Sequence, residues 1–283
     1  MNTRHKPIGL YEKAMPPMPW EQRFTLMRQI GYDYFELSLD NNRIERLDWP
    51  AQKIRNLHHC ARENGLKIFS MNLSAHRHFP LGSSDAKIAL QANDIMKKAI
   101  DFSWEAGIRV VQLAGYDVYT EEISTAETKQ RFIQGIAQGL EYAAQAGVML
   151  AIEPVDLEFI TSCAHAMEYI ELFSSPWLQI YPDMGNTVAA GHNVVSDLLL
   201  ARNHIVAMHV KDSKERIVRD IPFGEGIVPF DAVFKQLDAL GFQGPYIIEM
   251  WGENDPHYER NIRFALEFTK KHLNLAHNSA GKY

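Results

Sequence analysis

One phrase recurs along this chain: a long amphipathic stretch, a glycine, then a short apolar run. It appears at Gly31-Tyr32-Asp33, Gly65-Leu66-Lys67, Gly107-Ile108-Arg109, Gly147-Val148-Met149 and Gly241-Phe242-Gln243. Glycine closes a helix readily in the left-handed conformation, and the runs that follow are rich in β-branched and aromatic residues. Candidate strands are 7–11, 33–39, 67–73, 109–115, 148–155, 178–182, 205–210 and 245–250. Candidate helices fill 20–30, 51–64, 85–106, 126–146, 161–174, 196–203, 230–240 and 256–275. Eight strand–helix units in 283 residues average about 35 residues, enough for a strand and its crossover helix. A doubly wound sheet would carry a glycine-rich phosphate loop after its first strand, and Gly9-Leu10-Tyr11-Glu12 supplies none. The pattern predicts one α/β domain over 1–283, a (β/α)8 TIM barrel, with about 274–283 as a loose tail.

Composition narrows the function. A chain that is 46% hydrophobic and 23% charged has the makeup of a globular protein, and a net charge of −6 argues against nucleic acid or an anionic membrane as partner. Cys60 and Cys163 are too few for a disulfide framework, the first residues contain no long apolar core of a signal peptide, and no stretch reaches the roughly 18 apolar residues of a membrane span. These features predict a cytoplasmic protein.

Chemistry gathers where the later strands run out. Glu153 follows Met149-Leu150-Ala151-Ile152, Asp183 follows Ile180-Tyr181-Pro182, His209 follows Ile205-Val206-Ala207-Met208, and Glu249 follows Tyr246-Ile247-Ile248. In a barrel the C-terminal strand ends share one mouth, so these four residues would converge from strands five to eight. One such acid alone reads as an ion-paired strand end. Three carboxylates buried together are unfavourable unless a cation neutralises them, and a divalent metal held by all four resolves the conflict. Three oxygen donors and one nitrogen suit Zn²⁺, Mn²⁺ or Co²⁺.

Longer motifs surround these residues: Gly9-Leu10-Tyr11-Glu12-Lys13-Ala14, Leu73-Ser74-Ala75-His76-Arg77, Gln112-Leu113-Ala114-Gly115-Tyr116-Asp117, Tyr181-Pro182-Asp183-Met184-Gly185-Asn186, His209-Val210-Lys211-Asp212 and Tyr246-Ile247-Ile248-Glu249-Met250-Trp251. Together they resemble the L-xylulose-5-phosphate 3-epimerases (L-ribulose-5-phosphate 3-epimerases) of bacterial L-ascorbate and pentulose catabolism, over roughly residues 7–270. The resemblance implies a xylose-isomerase-like barrel, one divalent metal, a homodimer, and interconversion of L-xylulose 5-phosphate and L-ribulose 5-phosphate. It assigns Glu153 and Glu249 as the catalytic pair, one removing the C3 proton and the other returning one to the opposite face. Asp183 and His209 then serve mainly as ligands.

A sugar phosphate needs a seat for its dianion. Lys13 follows strand one, His76 and Arg77 follow strand three, and Ser83-Ser84 open the third helix with hydroxyls and free N–H groups. The resemblance likewise places the phosphate between the first loop and the third helix. Glu12, Asn186 and Lys211 border the expected mouth, while Gly224-Glu225-Gly226 is a turn too short for a phosphate loop. Rival readings remain: an epimerase or isomerase of free ketoses, an abasic-site endonuclease, or a sugar-phosphate-binding barrel without catalysis. The endonuclease would need more histidine and acid ligands and a basic surface.

Overall fold

In the computed structural model, which describes residues 6–280, eight parallel strands alternate with helices. The strands are β1 (Ile8–Tyr11), β2 (Tyr34–Ser38), β3 (Lys67–Asn72), β4 (Val110–Ala114), β5 (Met149–Glu153), β6 (Leu178–Ile180), β7 (Met208–Val210) and β8 (Tyr246–Ile248). They pair in the order β6-β5-β4-β3-β2-β1-β8-β7. The ring closes between β6 and the approach to β7. There Ile180 N–H donates to His204 O at 2.8 Å, Val206 N–H to Ile180 O at 3.1 Å, and His209 N–H to Pro182 O at 2.9 Å. The structure is the expected barrel.

Around it run α1 (Trp20–Ile30), α2 (Ala51–Glu63), α3 (Ala86–Glu105), α4 (Ala126–Ala146), α5 (Cys163–Phe173), α6 (Met184–Ala189), α7 (Val194–Leu200), α8 (Phe230–Ala239) and α9 (Tyr258–Ala280). The glycines of the recurring phrase all adopt positive φ, from 65° at Gly107 to 104° at Gly31. Asp85 caps α3 by accepting from Lys87 N, and Thr125 and Thr128 form a reciprocal capping box on α4. Helix α6 is absent from the sequence reading, because its six residues are too short to show a helical period. The backbone of α9 continues through the stretch expected to be a loose tail as far as Ala280; residues 281–283 of that tail lie outside the described residues. Among the described residues no helix is long and apolar enough to cross a membrane.

Strand periodicity of two sorts the side chains into two compartments. Leu10, Phe35, Leu37, Met71, Val111, Leu113, Leu150, Ile152, Met208, Val210, Tyr246 and Ile248 belong to the large core shared with the helices. Between them, Tyr11, Val110, Ala151, Tyr181, Ala207 and Ile247 form a separate cluster inside the ring. Gly9 makes room for that filling: a Cβ there would sit 2.3 Å from Ile247 Cδ1. Towards the C-terminal ends, the alternation brings Glu36, Ser38, Ser70, Asn72, Gln112, Glu153 and His209 in among these buried groups. The barrel is apolar at its base and polar at its mouth.

Phe24 of α1 tests the outer core. Its ring is fully buried, 5.3 Å from Phe35 and 5.8 Å from Trp20. Phe24→Ala should lower the free energy of unfolding by about 3–5 kcal/mol, read from urea denaturation, and a loss below about 1 kcal/mol would contradict this packing.

Candidate active site at the barrel mouth

Glu153 is the last residue of β5, His209 the middle of β7, and Glu249 directly follows β8. Asp183 lies three residues beyond β6, bridged to His209, and caps α6 by accepting from Asn186 N at 2.8 Å. The structure brings the four expected ligands together. One donor atom from each lies within 4.8 Å of the others, and all four residues are buried.

His209 sits at the centre. Its Nδ1 is 2.7 Å from Glu153 Oε1 and 3.8 Å from Asp183 Oδ2. On the other side its Nε2 lies 2.8 Å from Glu36 Oε1. A carboxylate only accepts, so Nε2 is the donor in that contact. Gln112 Nε2 donates to Glu153 Oε2, and Lys211 Nζ reaches Asp183 Oδ2 at 2.7 Å and Glu249 Oε2 at 2.6 Å.

The electrostatics record how crowded this is. Burial would lower the His209 pKa, but Glu36, Glu153 and Glu249 outweigh it and hold the imidazole well above its ordinary value. Burial pushes Asp183 up against the pull of Lys211, while Lys211 and His209 overcome the burial of Glu249 and hold it low. Two carboxyls sharing one ammonium thus divide into one that favours its proton and one that gives it up.

The residues fit a divalent metal on two grounds. Asp183 Oδ2 is buried, and its contact with Lys211 is ionic without an aligned hydrogen bond, so a lone pair is left for a ligand bond. With His209 neutral and all four carboxyls ionised, as metal ligation would require of the ligands among them, Glu36, Glu153, Asp183 and Glu249 face only Lys211 in the contacting cluster. A divalent cation removes most of that excess, and Arg77, which acts on Glu153 from the mouth, offsets more. Cation binding would displace the Nδ1 proton.

The other expected residues separate into four places. Arg77, Asn186 and Lys211 line a mouth cavity of about 460 Å³ with Glu153, Glu249 and Trp251. Asn186 is fixed there by donating to Pro154 O at 3.1 Å. Lys13 lines a different cavity with Glu12, Arg23, Asp40 and Arg46, where it forms an ion pair with Asp40. Glu12 is turned the same way, bridged by Arg46 at 2.8 Å on each oxygen. His76 is buried with Nε2 on Ala92 O at 3.2 Å, and burial lowers its pKa to about 4. Ser83 Oγ donates to Glu122, whose carboxylate also accepts from Ser84 N at 2.7 Å and Ser84 Oγ at 2.6 Å. The anion seat expected at the start of α3 is therefore filled by the chain's own carboxylate, and Lys13, Arg77 and Ser83 do not form one cradle.

Sequence reasoning missed Glu36, Ser70 and Gln112. Each is a polar residue at an inward position of an apolar strand, and an acid inside Tyr34-Phe35-Glu36-Leu37 was the available signal. The turn at Gly224-Glu225-Gly226 belongs to a strap beside the mouth, held by one carboxylate that the sequence reading did not single out. Asp212 Oδ2 accepts from Gly224 N at 2.8 Å and Gly226 N at 2.9 Å, and Oδ1 from Ser213 N at 2.9 Å and Val228 N at 3.3 Å. Gly226 must lack a side chain, since a Cβ would lie 2.1 Å from Asp212 Oδ1.

A closed parallel barrel with a four-ligand mouth defines a class, and comparison agrees. Residues 24–272 match the profile of the xylose isomerase-like TIM barrels, and the chain belongs to that family. It is 44% identical over 276 residues to L-ribulose-5-phosphate 3-epimerase UlaE of Escherichia coli, covering 96% of this chain and 97% of that protein. The Shigella flexneri protein of the same name is 44% identical over 264 residues, covering 92% and 93%. Among solved structures, D-psicose 3-epimerase with D-tagatose from Clostridium cellulolyticum superposes with a TM-score of 0.79 at 16% identity, over 94% of this chain and 99% of that one, a likeness of fold.

Metal content tests the ligand set. Purified protein should carry close to one divalent ion per chain by elemental analysis, and His209→Ala should lose it on gel filtration while remaining folded by circular dichroism. A folded His209→Ala protein with full metal content would remove His209 from the set.

Proposed function

We propose that this protein is a 3-epimerase interconverting L-xylulose 5-phosphate and L-ribulose 5-phosphate, using one divalent cation, Zn²⁺ or Mn²⁺ with Co²⁺ as a further candidate. The observation that carries the reading is the pairing of near-full-length identity to named epimerases with two buried glutamates, Glu153 and Glu249, in one ligand cluster. Epimerisation beside a ketone needs a base on one face of C3 and an acid on the other. Glu249 is kept ionised by Lys211, the state in which a carboxylate takes a proton. Glu153 is oriented by Gln112 and His209. One glutamate removes the C3 proton, the other delivers a proton to the opposite face, and reversing the direction exchanges their roles. A bound divalent cation supplies Lewis-acid stabilisation of the negative charge that develops on substrate oxygen.

For the phosphate, the support now favours Arg77 over Lys13. Arg77 lines the mouth cavity, its Nε is buried without a hydrogen bond, and its guanidinium stands 5.8 Å from the Tyr116 ring centroid. Lys13 is already committed to Asp40. Arg216 and Arg219 border the same cavity as Arg77. The family reading also makes the protein a cytoplasmic homodimer, which light scattering would test.

Proton NMR of L-ribulose 5-phosphate in D₂O reads the chemistry directly: wild type should form L-xylulose 5-phosphate and exchange only the C3 hydrogen. Glu153→Gln and Glu249→Gln should each stop epimerisation, with metal occupancy measured in parallel. If either variant, metal-loaded, epimerises near the wild-type rate, the two-base scheme is wrong.

Substrate class is tested separately. A charge-assisted hydrogen bond to phosphate is worth about 1.5–3 kcal/mol, so Arg77→Ala should lower kcat/KM for the phosphorylated pentulose roughly 10- to 100-fold and spare the free sugar. Lys13→Ala should lose less. Equal wild-type kcat/KM for L-xylulose and its 5-phosphate would decide for a free-ketose epimerase.

A further inference from the structure

Glu36 is fully buried on β2, outside the four-ligand set, and both its oxygens are hydrogen-bonded. Oε1 takes the His209 Nε2 hydrogen at 2.8 Å; Oε2 accepts from Tyr181 OH at 2.7 Å and Ser70 Oγ at 2.6 Å. The Tyr181 ring lies beside the imidazole, its centroid 4.5 Å away. A buried carboxylate is unfavourable unless its partners are worth more than its hydration, and here the partners are two hydroxyls and one ring nitrogen. The hydroxyls offset the cost of burying the charge on Oε2, and Oε1 fixes the ring.

We infer that Glu36 is a positioning residue for the metal centre: by holding Nε2–H it dictates that His209 offers Nδ1, the nitrogen facing Glu153 and Asp183, to a divalent cation. Without that acceptor nothing holds the remaining proton on Nε2, and rotation about χ2 would turn the ring away from the other ligands. Outer hydrogen bonds of this kind typically change metal affinity by roughly 10- to 100-fold. Tyr181 and Ser70 act one step further out, on the oxygen that does not touch His209. The inference rests on the four-ligand reading of the mouth and adds a residue that this reading does not contain.

The experiment uses full-length protein stripped of metal and titrated with Zn²⁺ against a chromophoric chelator, alongside long-range ¹H–¹⁵N spectra of the zinc-loaded histidines. Wild type should show His209 protonated on Nε2 and bound through Nδ1. Glu36→Ala should weaken Zn²⁺ binding roughly 10- to 100-fold and lose the single Nδ1-bound pattern. Glu36→Gln, which retains an acceptor oxygen and guards against a misfolded alanine variant, should restore that pattern and recover part of the affinity. Tyr181→Phe, which loses stability but leaves the His209 contact, should keep affinity within about threefold of wild type and serves as the control for a purely structural effect. Equal Zn²⁺ affinity in wild type and both Glu36 variants overturns the inference while leaving the metal site standing. An equal loss in Tyr181→Phe and Glu36→Gln overturns it in favour of general destabilisation. Wild-type protein that binds no Zn²⁺ overturns the site reading and this inference with it.

Discussion

A concentration of negative charge inside a closed barrel is the constraint on which the rest of this structure depends. Glu36, Glu153, Asp183 and Glu249 are all less than a tenth exposed, and each would be expelled to water if left unpaired. The fold answers with geometry. Short parallel strands carry apolar side chains to the helices and, at their C-terminal ends, turn polar ones inward. Lys211 is driven between Asp183 and Glu249, and His209 is clasped by two glutamates. Such a mouth costs stability, and the apolar lower ring and helix packing sustain it. Its value lies in what it can bind: pre-set donors lose little freedom when a cation arrives.

The architecture was largely legible in the sequence because two signals coincide. Strand runs that are apolar throughout indicate burial on both faces, and left-handed glycines mark where α1, α2, α3, α4 and α8 stop. The four ligands were legible because each acid or histidine interrupts an apolar run near its C-terminal end. Glu36 obeys the same inward alternation, but as the one acid of its strand it resembles an ordinary polar position. Its meaning depends on the distance to His209, 173 residues away along the chain. The phosphate seat was least legible. Lys13, Arg77 and Ser83 all sit at loop starts that a barrel sends to one end, yet a shared end is not a shared pocket. Asp40 and Glu122, counter-charges on other loops, take two of the three out of play. Sequence spacing reports where along an element a charge falls and is silent on which neighbour has already claimed it.

The strap held by Asp212 has a consequence for how such a barrel can diversify. One carboxylate grips the segment through main-chain N–H groups at Ser213, Gly224, Gly226 and Val228, and the side-chain demands fall at its far end, where Gly226 must stay bare and Phe223 is buried against Phe230 and Phe268. Anchorage and recognition are thereby uncoupled. Arg216, Val218, Arg219 and Asp220, which border the mouth, can be exchanged over evolutionary time without unseating the loop that presents them. A lineage could acquire a new sugar preference by rewriting a handful of strap residues while the buried charges beneath stay as they are.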